Sequence, residues 1–130
     1  MYTTLKIVLF FIFILLIVIF NIPSQKIVYA REWTNQDYLT EYASQYGVSS
    51  KVLYEVIQCE SGWNENAVGD HGLALSLAQF HEQTFYMFAK KMGEDLDYRN
   101  PQHQIKVMAW AFSNNLASHW TCARKLGVVK

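Results

Sequence analysis

The chain has 130 residues, 52% of them hydrophobic, with 11 basic and 11 acidic side chains and no formal net charge. That length bounds it to a single domain. The balanced charge leaves no phosphate-neutralising excess, which disfavours nucleic acid as a partner and strong attraction to an anionic surface.

Residues 1–30 read as an export signal. Lys6 gives a positive start, Ile7 to Phe20 is an unbroken apolar run, and "VYA" ends at Ala30, a small residue at the expected cleavage position. A spanning helix needs roughly 20 apolar residues, so cleavage after Ala30 is expected; the alternative is an uncleaved N-terminal anchor. Either way residues 31–130 form an exported domain, secreted or held in the cell envelope. Removing Lys6 and Lys26 lowers the basic count from 11 to 9 against 11 acids, a formal charge of −2.

The rest of the chain has a helical pattern. Thr34 or Asn35 caps a first helix with Tyr38, Leu39, Tyr42, Ala43 and Tyr46 on one stripe, and Gly47 ends it. Ser49 or Ser50 caps a second, with Val52, Leu53, Val56 and Ile57 inward and Gly62 just past its end. Gly62 to Gly72 reads as loop. Leu73 to Phe80 is either a short buried helix or a strand-like segment, which periodicity does not separate at this length. Phe85, Phe88, Ala89 and Met92 then mark a helix closed by Gly93. Asn100 before Pro101 opens a longer one, with Ile105, Met108, Ala109, Phe112 and Leu116 inward. A final helix near Ala117 to Leu126 carries Trp120 and Cys122, and Trp110 and Trp120 are expected in the core. The expected fold is all-α, with about five or six short helices. Cys59 and Cys122, an even pair in an exported domain, are expected to bridge. Closing that loop stabilises by about 3–5 kcal/mol on a chain-entropy account. Neither cysteine has zinc-ligand spacing.

One carboxylate is out of place. Glu60 follows Val56 by four residues and Ile57 by three, so it continues the apolar stripe at the negative end of its helix. Desolvation and the helix dipole both favour its protonated form, as a general acid at neutral pH requires. The plainer reading is a helix-end glutamate that reaches solvent or a basic neighbour.

The string "ESGWNENAVGDHG" followed by "GLALSLAQF" resembles the lysozyme-like lytic transglycosylases of the soluble type and the related goose-type lysozymes. The matching residues are Glu60, Ser61, Gly62, Trp63, Asn64, Asn66, Ala67 and Val68, then Gly72, Leu77 and Gln79. The resemblance is sharp over residues 52–80 and looser over the remainder of 35–126. It implies a lysozyme-like domain with a substrate cleft, cutting the bond between N-acetylmuramic acid and N-acetylglucosamine in peptidoglycan. Glu60 would be the acid/base, with Gln79 and the backbone of Leu73–Ala78 lining the cleft. Two departures stand out. The motif's Ser and second Gly fall on Ala74 and Ser76, and Phe112 in "AFSNN" stands where a tyrosine is usual. They leave a non-catalytic glycan-binding domain, or an exported protein that keeps the fold alone, as alternatives.

"GDHG" also matches a goose-type run, which makes Asp70 a possible second carboxylate; an Asx turn is the plainer reading. Ser76, Trp63, His71 and Phe112 complete the candidate substrate contacts, with His81 also flanking the region. Trp63 would either stack on a sugar ring or cover the second helix. No cofactor is expected, since the acid/base step needs none, and a monomer is the default.

Overall fold

The computed structural model describes residues 1–20 and 31–129, in two separate units, Met1–Arg31 and Glu32–Lys130. In the first, α1 spans Tyr2–Phe20. It is apolar without a polar face, and Leu5, Phe10 and Phe13 are exposed on it. Among the described residues no helix is long and apolar enough to cross a membrane. The cleavage position at Ala30 lies outside the described residues.

The second unit begins with a capping box. The Thr34 side chain accepts from the Asp37 backbone N–H, and the Asp37 carboxylate accepts from the Thr34 N–H at 2.8 Å. This starts α2 (Asn35–Tyr46), which stops at Gly47 in the left-handed region. Ser49 caps α3 (Ser50–Ser61), whose Leu53, Val56 and Ile57 are buried. Gly62, at φ 61°, ends α3 and lets the chain turn out at once.

The next stretch runs from the segment read as loop, up to Gly72, into Leu73–Phe80, where the sequence left helix and strand unresolved. It forms three two-residue strands, β1 (Val68–Gly69), β2 (Ala74–Leu75) and β3 (Phe80–His81), paired antiparallel in that order. A 3₁₀ turn, Asp70–Gly72, joins the first two. The fold is mostly helical, as expected, and the strand-like option for Leu73–Phe80 is realised within a small sheet whose first strand falls in the segment read as loop. Side chains from the helices hold it. Gln104 accepts from the Ala78 N–H at 3.2 Å and donates to the Tyr98 carbonyl at 2.9 Å. The Trp120 indole donates to the Ala78 carbonyl at 2.8 Å, and the Tyr98 hydroxyl donates to the Phe80 carbonyl at 2.7 Å.

Helix α4 (Glu82–Met92) follows, ending at Gly93, then α5 (Pro101–Ser113) with Asn100 as its cap and Pro101 in its first turn. Leu116, expected on α5, lies three residues beyond its end and is half-buried. The expected final helix is split into a 3₁₀ turn, Ala117–His119, and α6 (Thr121–Lys125). The break falls on Trp120, whose backbone is extended (φ −97°, ψ 124°) and whose indole is committed to Ala78. Helix α2 packs on α5 and α3, and α6 packs on α3. Phe80 is the hub between sheet and helices, edge-on to Trp120, Phe85 and Phe88 at 5.0, 5.6 and 6.2 Å. Trp120 is core as expected, whereas Trp110 is only half-buried.

Candidate active site

Glu60 lies in the last turn of α3, where the helix carbonyls have no intrahelical partner and the dipole is negative. Its side chain is half-buried, and its Oε1 accepts the Cys122 backbone N–H at 3.1 Å. Burial pushes its carboxyl pKa up, while the Cys122 N–H and the nearby Lys125 and Arg124 charges pull the other way; the net direction is upward. A carboxyl with that balance keeps its proton to higher pH than an exposed glutamate.

The Cys122 N–H is in place because a disulfide ties it there. Cys59 and Cys122 bridge α3 to α6 with their Cα atoms 5.9 Å apart across 63 positions. The sequence expectation of this pairing holds. Cys59 precedes Glu60 by one residue, so the covalent link and the hydrogen bond act on consecutive positions of α3.

Glu60 opens into a cleft of about 520 Å³, shared with Asp70 and Gln79. Three candidates named from the sequence therefore meet in one space. Asp70 has φ 45°, a conformation that aspartate tolerates better than most residues. Its Oδ2 meets His81 Nε2 at 2.8 Å, across the sheet edge. Gln79 is tied back into the loop: its Nε2 donates to the carbonyls of Ser76 at 2.7 Å and Ala67 at 3.2 Å. Gly69 leaves room for that amide, since a Cβ there would lie 2.3 Å from Gln79 Oε1. Gln79 thus supports the cleft wall as well as facing it. Ala74 also lines this space, so the position that lacks the motif's hydroxyl is one where that hydroxyl would have faced the cleft.

Four other candidates lie elsewhere. Ser76 is buried at φ 64°, the conformation that explains a glycine at this point of the related motif. Its hydroxyl is enclosed without a hydrogen-bond partner, and it borders a separate groove with Asn66 and Arg99. Trp63 packs on Tyr54, 5.0 Å between ring centres, and faces a groove with Trp33 rather than Glu60. His71 is exposed in the 3₁₀ turn and does not line the cleft. Phe112 lies against Trp120 at 5.4 Å and touches the cleft only through that ring.

Thr84, His119, Trp120 and Thr121 complete the cleft and were not singled out for it by the sequence. Thr84 and Thr121 give no signal at all, being isolated threonines near helix starts. His119 is held edge-on to Phe88 at 5.0 Å. Among the described residues no three metal-ligating side chains converge. What the cleft offers is a protonatable carboxyl on one wall, a carboxylate–imidazole pair on the other, and hydroxyls between.

Comparison with protein families matches residues 37–122 to the transglycosylase SLT domain. No curated protein and no solved structure matches the chain.

Proposed function

The chain belongs to the transglycosylase SLT family, and from that membership we propose that it is an exported enzyme cutting the N-acetylmuramic acid to N-acetylglucosamine β-1,4 bond of peptidoglycan. Glu60 is the acid/base. The observation that carries this reading is its half-buried place in the cleft wall, where burial pushes its carboxyl pKa up. With Oε1 accepting from the Cys122 N–H, Oε2 is the oxygen left to carry the acid proton in this reading. Oε2 donates that proton to the glycosidic oxygen as the bond from the muramic C1 breaks. The resulting carboxylate then takes the proton of the muramic C6 hydroxyl while that oxygen bonds to C1. The products are a 1,6-anhydro end and a free 4-hydroxyl, with Glu60 protonated again. One carboxyl suffices, because the internal hydroxyl replaces the water that a paired carboxylate would activate.

Clearance of purified cell walls by the oxidised full-length chain tests this. Glu60→Gln should lower the rate about 10²–10⁴-fold, the usual worth of a positioned general acid. No clearance by the folded wild type would sink the proposal. The upward pKa shift also sets a pH signature. Ionising Glu60 is disfavoured in the folded state, so its stabilising contribution is full below the ordinary glutamate range and is lost as pH rises through the raised folded value. Wild-type activity should fall over that same window, and the melting difference from Glu60→Gln should appear only above the ordinary range.

A second reading rests on Asp70, which shares the cleft and is paired with His81. If that pair positions a water, the enzyme is a hydrolase. Mass spectrometry of the released fragments separates the two, since hydrolysis leaves reducing ends and transglycosylation leaves anhydro ends.

A further inference from the structure

A second groove, of about 530 Å³, is lined by two indoles, Trp33 and Trp63. Trp33 precedes α2, is 54% exposed, and is braced from behind by Tyr38 with ring centres 5.2 Å apart. Trp63 follows α3 at φ 64°, a costly conformation for a bulky residue, and Tyr54 supports its ring. Trp63 Nε1 is enclosed without a hydrogen-bond partner, so this residue offers the groove its ring rather than its N–H. The amides of Asn35, Gln36 and Gln102 and the carboxylate of Glu65 supply the polar edge. Asn35 Nδ2 hydrogen-bonds Glu65 Oε1, which fixes both.

The chemistry of this lining selects a ligand class. Flat indole faces suit the apolar C–H faces of a pyranose, and amide and carboxylate groups suit its hydroxyls and acetamido group. No lysine or arginine lines the groove, and its one charge is negative. An anionic ligand, such as a peptide stem carrying free carboxylates, would leave its charge unpaired there. None of the residues lining the cleft that holds Glu60 lines this groove.

We propose that the groove between Trp33 and Trp63 is a second glycan-binding site, which holds N-acetylglucosamine-containing strand away from the cleft that cuts it. The choice of ligand rests on the peptidoglycan reading above. The site would retain the enzyme on its polymer between cuts without taking part in any of them.

Titration of ¹⁵N-labelled, oxidised full-length Glu60→Gln chain with chitotetraose, followed through its indole signals, tests this directly. Trp33 and Trp63 should shift, and in the Trp33→Ala variant the Trp63 shift should be lost while that of Trp120, in the cleft, remains. Retention on insoluble peptidoglycan should weaken about 3–10-fold on losing one stacked ring. Trp33→Phe should recover most of it. In an otherwise wild-type chain, Trp33→Ala should cleave a short soluble fragment at an unchanged rate. Shifts confined to Trp120, unchanged retention, or Trp33 shifts with a free stem peptide but not with chitotetraose would each overturn the proposal. Failure of the cleavage reading is seen separately, as a wild-type chain that cuts neither polymer nor fragment.

Discussion

The two walls of the cleft are built by opposite means. On the Glu60 side the wall is regular secondary structure. Helix α3 is started by the Ser49 side chain, ended by a left-handed glycine, and bonded to α6 through Cys59 and Cys122. On the other side the wall is drawn from Val68 to His81, with strands of two residues each and four non-glycine residues at positive φ: Asp70, His71, Ser76 and Gln79. That wall is held by side chains that reach in from other elements, above all Gln104, Trp120 and Tyr98. The contrast teaches where positional accuracy comes from. A helix ladder and a covalent bridge fix Glu60, whereas the opposite wall has only short strand pairs and relies on a few polar side-chain contacts.

Three variants break or sharpen that contrast. The largest effect should follow loss of the bridge. Replacing both Cys59 and Cys122 by serine should cost about 4 kcal/mol in chemical denaturation, from the loop entropy returned to the unfolded chain. It should also lower activity beyond the loss in folded fraction, because Cys122 positions the donor to Glu60. Next is Gln104→Leu, which keeps the volume but orphans the Ala78 N–H and the Tyr98 carbonyl. Each buried orphan costs about 1–3 kcal/mol, and hydrogen exchange should show the sheet loosened while α2 and α3 keep their protection. The smallest change runs the other way. Ser76→Gly relieves a left-handed residue and removes an enclosed hydroxyl with no partner. It should raise stability by about 1 kcal/mol in thermal melts. A Gln104→Leu effect spread evenly over both walls would erase the distinction between them.

The sequence was most legible where local rules act alone. Thr34, Ser49 and Asn100 cap, and Gly47, Gly62 and Gly93 terminate, because caps depend on neighbours within four residues. Glu60 was legible for the same reason, as a carboxylate extending a periodic stripe. The sheet was not, since two-residue strands are too short for alternation to register. Nor was the break at Trp120, which is imposed by a partner 42 residues away. Gln104 left a faint signal, an amide directly before Ile105 on the inward stripe, whose meaning depends on Ala78 being opposite. Placement of Trp63 away from Glu60 depends on one backbone torsion just after Gly62, which adjacency in sequence conceals.

Cys122 makes two attachments at once, its sulfur to Cys59 and its amide to the carboxylate of the next residue along. In terms of rigid-body freedom, the first removes translation of the helix end and the second removes roll of the side chain about its own axis. A carboxyl held at both levels has one oxygen committed and one free. In the proposed reaction, the oxygen that hands over the proton is thereby chosen before any sugar arrives.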